Sequence, residues 1–447
     1  MKTTFKKTLI AAGVAAVMGG IAGQAQAANW LFLQGTEPEG TAARAKVWGF
    51  IQAQYQKDYS DPNASGGYIP PKLIGPDLTT QESFNVFRAR VGVRGTGFPL
   101  DSKVNYFFLV EFGNNGITQP GGSFAKITDA SITLNHIKGA RIRMGQFKTP
   151  MSEEVYQGIA IFDYINFTSY AGQQLIERTP NQRYSSNVGP QPLPMDLSNG
   201  GLTQFDKSVS AARDTGIQIF DTFKVKNWEH SYSVMIGNGN GLNYTDNDNN
   251  KDTYLYLSTE YVFSPKGGPF RPGVKAYVWS QSGKRLLDNT NDSTYNPQEH
   301  DRKRYGIGFK YLKKPYRISG EYNKAEGMIF VGPHSPTFDM NPSVPPGNGE
   351  DGEADGWYID LGWYIPGTKW ELDFRYDEMR RLIDDPFETK WKTSTLGFQY
   401  HFNRKSRLTV NYAIRDVTAV NYGSGAGPNA NLDGIGDRLA LQLTHIF

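Results

Sequence analysis

Basic residues set at alternate positions are the feature of this chain best suited to act on a charged solute. Arg88, Arg90 and Arg94 share one parity, Arg141 and Arg143 another, and Arg407, Arg415 and Arg438 recur towards the carboxyl end, with Lys103 after the first group. Acidic residues keep the same spacing in Glu371, Asp373 and Asp377, joined by Glu111, Asp129 and Asp360. None of these groups makes a nucleophile with a base and an orienting partner. They offer fixed charge: donors that replace part of an anion's hydration shell and raise its local concentration, with no bond made or broken.

Fixed charges need an element to aim them, and alternation assigns that role to strands. In one segment Phe87, Ala89, Val91 and Val93 oppose Arg88, Arg90 and Arg94. In the next, Val104, Tyr106, Phe108, Val110 and Phe112 oppose Lys103, Asn105 and Glu111. Further on, Trp370, Leu372, Phe374 and Tyr376 oppose Glu371, Asp373, Arg375 and Asp377, and Leu408, Val410, Tyr412 and Ile414 oppose Arg407, Thr409, Asn411 and Arg415. The last residues, Asp437 to Phe447, repeat the pattern, with Leu439, Leu441, Leu443 and terminal Phe447 on the apolar side. A dry interior does not tolerate so many unpaired charges, and an arginine at a bilayer midplane costs about 2 to 4 kcal/mol. The apolar face therefore meets lipid, and the charged face lines a wet lumen. The arginines of the second and the last two strands predict a basic wall, and Asp360, Glu371, Asp373 and Asp377 an acidic wall across from it.

The organisation of the chain fits a transmembrane antiparallel β-barrel, an all-β fold. Strand-like segments lie near 45–57, 83–95, 102–113, 125–136, 140–149, 212–223, 228–238, 252–264, 271–283, 302–312, 315–325, 355–366, 369–380, 389–403, 406–419 and 436–447, about sixteen in all. Tight turns such as Ile137-Lys138-Gly139 and Pro366-Gly367-Thr368 alternate with long polar loops, as short periplasmic turns and long external loops require. The connection at about 150–211, after the fifth strand, is too long and too apolar around Ile159 to Tyr170 for an ordinary loop, and it is expected to fold inward and narrow the barrel.

The amino terminus carries Lys2, Lys6 and Lys7, an apolar stretch from Leu9 to Ile21 and Ala25-Gln26-Ala27, a cleavable secretory signal over residues 1–27. Residues 28–44 are expected to form a periplasmic amino-terminal segment that plugs the lumen, packs at the rim or meets a neighbour, with the barrel over 45–447. Zero cysteines exclude disulfides, covalent haem and thiolate metal sites. A net charge of +3 gives no reason to expect a nucleic-acid partner. His136, His230, His300, His334, His401 and His445 are scattered without a serine motif, so neither catalytic residues, a bound metal nor a cofactor is expected. Asp246 to Asn250 resembles the start of a calcium loop, but Lys251 and Leu257 stand where its glycine and bidentate glutamate belong.

Several segments resemble the phosphate-selective porin O and P family: Phe87 to Gly95, Thr128-Asp129-Ala130, Arg143-Met144-Gly145-Gln146-Phe147-Lys148-Thr149-Pro150, Arg213 to Gln218 and Gly237 to Gly241. The resemblance implies a sixteen-stranded, trimeric outer-membrane barrel of a Gram-negative bacterium, constricted by the loop after the fifth strand, in contact with membrane lipid and lipopolysaccharide. It implies passive diffusion of small anions and other hydrophilic solutes, with Arg88, Arg90, Arg94, Arg141 and Arg143 as a partial ladder of the kind associated with phosphate. Glu111, Asp129, Glu153 and Glu154 dilute that ladder and favour a general, anion-preferring pore. The competing readings are a barrel sheathing a partner such as an electron carrier, and an outer-membrane hydrolase.

Overall fold

The structure, a computed structural model, describes residues 29–37, 43–60, 82–97, 100–119, 124–177, 184–185, 189–190, 208–264, 270–287, 298–329, 352–425, 429 and 432–447. The signal at 1–27, Arg178, Arg183, Pro192, Pro194, His334, Glu350 and Asp351 lie outside them. Sixteen antiparallel strands close into one barrel. They are β1 (Lys46–Asp58), β2 (Glu82–Gly97), β3 (Asp101–Glu111), β4 (Lys126–Leu134), β5 (Arg141–Lys148), β6 (Arg213–Val225), β7 (Trp228–Gly237), β8 (Asp252–Val262), β9 (Gly273–Leu287), β10 (Gln298–Lys313), β11 (Tyr316–Glu326), β12 (Glu353–Tyr364), β13 (Trp370–Arg381), β14 (Thr389–His401), β15 (Ser406–Ala419) and β16 (Arg438–Ile446).

Closure joins the two ends of the chain. β1 pairs with β16 from Phe50↔Ile446 to Asp58↔Arg438, and Phe447 and Gly49 exchange backbone hydrogen bonds of 3.0 and 3.3 Å. Among the described residues, no strand of the barrel has an unpaired edge, which is the condition for crossing a bilayer with strands. The short connections, such as Lys226-Asn227 and Lys314-Pro315, share one end of the barrel with the start of β1 and the end of β16. The long ones share the other.

Alternation appears directly as burial. Along β13 and β15 the predicted apolar residues face out and the predicted charged residues face in. One assignment is overturned. The β1–β2 register shifts between Gln52 and Ala53, pairing Gln52 with Arg88 but Ala53 with Val86. The extra residue is Phe87, which turns inward and is buried rather than facing lipid, while Phe84 and Val86 take the outer face. Such a bulge resets the parity of a strand, and a period of two read from sequence does not reveal it.

Inside, the lumen is only partly the wet space that the charges predicted. Residues 149–177 fold into it as a loop containing a helical turn at Glu153–Tyr156, a 3₁₀ turn at Ile159–Ile161 and a π turn at Ala171–Leu175. Its Met151, Val155 and Tyr156 share an apolar cluster with Phe147, Phe220, Met235, Tyr256, Tyr277 and Trp279 of the wall. Burying each such side chain stabilises the loop by about 1.5–3 kcal/mol. Phe220, Met235, Tyr254, Tyr256, Tyr277 and Trp279 give the inward face of β6–β9 an apolar patch, set among buried polar residues such as Gln218, Ser233 and Gln281.

Candidate functional site

The inward loop crosses from β5 to the opposite wall, and charged side chains of the wall grip its backbone. Lys148 Nζ donates to the carbonyls of Val155 at 2.9 Å and Gln157 at 2.6 Å. Arg407 reaches the carbonyls of Ala160, at 3.3 Å, and Phe162. Arg375 donates to Asn166 O at 2.9 Å, and Arg304 to Gln174 O at 3.1 Å. From the loop, Ser152 donates to Glu321 at 2.7 Å, Tyr164 to Asp360 at 2.8 Å and the Ser169 amide to Asp377 at 2.9 Å. The Ile165 amide donates to Asn411 at 2.9 Å, and Glu153 pairs with Lys275. Anchors on β5 and on β9 to β15 thus fix one loop conformation across the lumen.

Two loop carboxylates have unusual proton affinities. Burial pushes the Glu154 carboxyl up to about 7, against the pull of Arg375 at 3.5 Å and two hydrogen bonds from Thr168. Burial alone would raise Glu177 as well, but Arg285, Arg302 and Arg304 hold it well below the usual carboxylate range.

The predicted arginine ladder divides by what it touches. Arg90 pairs with Glu111 at 2.7 Å and donates to Thr118 at 3.0 Å. Arg94, Arg141 and Arg143 hold the amino-terminal segment. Arg94 binds Glu37 and donates to Leu33 O at 2.8 Å, Arg141 stacks on Phe32 while pairing with Asp221 at 3.1 Å, and Arg143 donates to Leu31 O at 2.9 Å between the rings of Phe147 and Phe220. Residues 29–37 therefore sit inside the barrel at its short-turn end. Asn29 bonds Ser231 at 2.6 Å and Trp30 bonds Glu153 at 2.8 Å. Lys103 lies exposed at that rim.

The two expected walls are compensated locally. Asp360, Glu371 and Asp373 converge on Arg317 of β11 at 2.5, 3.5 and 2.6 Å, with Asp163 of the loop at 3.2 Å. Asp129 pairs with Arg213 at 3.1 Å, and Asp58 joins Arg415 at 2.8 Å to Arg438 at 3.2 Å. Arg317, Asp58 and Asp163 were not singled out from the sequence. The usable signal for Arg317 was its parity, between outward Tyr316 and Ile318.

A cavity of about 100 Å³ lies between loop residues 165–176 and the wall of β2 and β13–β16. It brings together three of the predicted arginines, Arg88, Arg415 and Arg438, with Arg375, and Asp377 is the one carboxylate among its lining residues. The remaining lining is amide, hydroxyl and apolar, including Phe87 and Trp391. Four guanidinium groups at the edges of a small, largely apolar space can dehydrate and hold an anion, and nothing there is arranged to attack one.

The sequence profile of the phosphate-selective porin O and P family matches residues 75–430. The chain belongs to that family. No curated protein sequence matches it. Among solved structures it is similar to a loop-L8 deletion mutant of OmpT, an outer-membrane protein of Vibrio cholerae, with a TM-score of 0.53 at 12% identity over 91% of this chain and 99% of that one. The trimer form of in-vitro folded OmpT of Vibrio cholerae gives 0.52 at 12% identity with the same coverage. OmpF of Salmonella typhi in complex with daunomycin gives 0.53 at 10% identity over 90% and 97% of the two chains. These likenesses establish the fold. Family and barrel together make the protein an outer-membrane porin, a channel of the Gram-negative cell envelope.

The motifs behind the resemblance have structural uses here. Gly239 and Gly241 both have positive φ, and a Cβ on Gly241 would lie 2.1 Å from Val209 O, so this glycine-rich stretch closes a tight loop onto the strand entry. In the Asp246–Asn250 segment, Asp248 accepts from the amides of Asn250 at 2.7 Å and Leu286 at 3.0 Å, and Asp246 pairs with Lys251 at 3.1 Å.

Proposed function

We propose that this porin passes small hydrophilic solutes by diffusion with a preference for anions, inorganic phosphate among them, and that the cavity of Arg88, Arg375, Arg415 and Arg438 selects them. The observation that carries the reading is the imbalance of that lining, four guanidinium groups against the carboxylate of Asp377. Asp58 offsets part of the charge of Arg415 and Arg438, which favours mild preference over a dedicated phosphate site. Of the remaining predicted charges, Arg94, Arg141, Arg143, Arg407 and Asp360 hold the amino-terminal segment or the loop, and Arg90, Glu111, Asp129, Glu371 and Asp373 are paired within the wall, so they act on the potential of the lumen from a distance.

The same reading includes export with removal of residues 1–27, an outer-membrane barrel over 45–447 and assembly as a homotrimer, the form recorded for OmpT of Vibrio cholerae. A sheath for an electron carrier is disfavoured because the inward loop occupies the space that a threaded protein needs. The test is the zero-current potential of the purified protein in a planar bilayer under a KCl gradient, repeated with phosphate. Anion selectivity is expected, and cation selectivity in both salts refutes the reading.

A further inference from the structure

The cavity bordered by Arg88, Arg375, Arg415 and Arg438 has walls that an inorganic ion does not use. Phe87, Phe167 and Trp391 line it together with Ile117, Ile165 and Ile176. Phe87 is there because the bulge opposite Gln52 and Ala53 turns it inward. Trp391 is there by the parity of β14, on which Lys390 and Lys392 take the outer face. Ile165 and Ile176 come from the inward loop and Ile117 from the connection after β3, and all three are buried. An ion that gives up water must recover polar contacts, and apolar side chains return none. These walls suit a solute with an apolar body of its own.

The polar groups of the lining define the other end of that solute. Arg415 and Arg438 share Asp58 at 2.8 and 3.2 Å, and Arg375 lies 3.5 Å from Glu154 and 3.9 Å from Asp377. Three carboxylates therefore meet the four guanidinium groups, and the small positive surplus matches one negative charge better than several. Among the described residues, Arg375 Nε and Thr395 Oγ1 have no hydrogen-bond partner, although each residue is only 3% exposed. Buried donors in that state are costly, and an anionic oxygen satisfies them. On the same lining Gln173 Oε1 and Asp377 Oδ2 are acceptors without partners, and they accept from a ring hydroxyl where the solute carries one. Guanidinium and ring already stack at this site: Arg88 lies 4.7 Å from the centre of Phe87, and Arg375 4.3 Å from that of Tyr164.

We infer that this cavity binds an aromatic monocarboxylate, one ring with one anionic group, more tightly than it binds a small inorganic anion. The inference rests on the anion-preferring reading of the lumen and names the solute class of the same cavity. The ring lies among Phe87, Phe167, Trp391 and the isoleucines, and the carboxylate accepts from Arg375 Nε and the Thr395 hydroxyl. The size agrees: a dry cavity of about 150 Å³ takes benzene, and a space of about 100 Å³ is filled by one ring. Acetate reaches the donors but leaves the apolar wall uncovered. Phosphate gives up more hydration than two donors restore and finds no polar partner along the rest of the wall.

The test is block of the chloride current through the purified protein in a planar bilayer, at neutral pH and fixed ionic strength, by benzoate, acetate or inorganic phosphate. Benzoate is expected to halve the current at a concentration at least tenfold below that needed of acetate or of phosphate. This comparison is made on the unaltered protein and needs no variant. W391L removes one ring from the wall, and its half-blocking concentration of benzoate is expected to rise at least fivefold; a measurable chloride current shows that the variant barrel has formed. Benzoate no stronger than acetate or phosphate in an anion-selective channel overturns the inference and leaves the anion-preferring reading standing. Undiminished benzoate block in a conducting W391L also overturns it, because the ring is then held elsewhere. Cation selectivity in KCl overturns both.

Discussion

Replacing Arg88 by glutamine shifts the channel towards cations, and the same replacement at Arg143 does not. Both arginines have the inward parity that sequence assigned to the pore. Arg88 lines the cavity and donates to Gln52 at 3.0 Å, whereas Arg143 is sealed beneath Leu31 O and two phenylalanine rings. A unit charge about 5 Å from a passing ion is worth about 0.8 kcal/mol at a water-like dielectric, and screening at 0.1 M salt leaves about 0.5 kcal/mol. An anion loses that attraction and a cation loses the matching repulsion, so the permeability ratio moves by about 1 kcal/mol, or about fivefold. At 0.01 M salt the longer Debye length raises the shift to about tenfold. The assay is the zero-current potential of R88Q, R143Q and wild type at both ionic strengths. R143Q is expected to keep the wild-type ratio and to lose thermal stability, by about 1–3 kcal/mol for buried partners left without their donor. Identical ratios for R88Q and wild type at both salts would show that ions do not pass Arg88. An equal shift in R143Q would place the path along the amino-terminal segment instead.

Three further outcomes follow from the same contacts. Glu154 titrates near 7, so anion preference declines as pH rises from 6 to 8 and the loop gains a negative charge beside Arg375; its folded pKa lies above the unfolded one, so its stabilising contribution is present at low pH and is lost as pH rises through about 7. E154Q should flatten the selectivity profile around pH 7 and the thermal-stability profile from the usual carboxylate range up to about 7, and profiles unchanged in E154Q count against the assignment. R317L leaves Asp163, Asp360, Glu371 and Asp373 without their shared guanidinium and is expected to cost about 3–5 kcal/mol, measured as a lower unfolding temperature in detergent. Deleting residues 29–37 removes the segment held by Arg94, Arg141 and Arg143, and single-channel conductance is expected to increase; a fall or no change would show that the narrowest point lies at the loop.

All sixteen strands were legible because each has one face turned to lipid, where a misplaced charge near the midplane is costly enough to keep the alternation regular along most of each strand. Where that pressure is interrupted, the sequence misleads. The bulge opposite Gln52 and Ala53 sends Phe87 inward beside Arg88, and both residues then line the same cavity. Counter-charges were harder still, because they join distant positions: Arg317 with Asp163, Asp58 with Arg415 and Arg438, Glu37 with Arg94. Parity says that a charge faces the lumen. It does not say whether solvent, a loop carbonyl or a carboxylate will meet it there.

That distinction separates two uses of one residue type within a single barrel. A wall arginine whose donors end on loop carbonyls, as Arg407 and Arg304 do, supplies rigidity, because each carbonyl it satisfies would otherwise be a buried polar group without a partner. A wall arginine beside open space, as Arg88 is, supplies field. Arg375 does both, donating to Asn166 O and bordering the cavity, so it ties the position of the loop to the potential at the opening. The loop holds one conformation because Lys148, Arg304, Arg375 and Arg407 are committed to its backbone. Selectivity then falls to the few guanidinium groups that remain at the cavity, which is why a lumen rich in both signs is consistent with a mild preference for one.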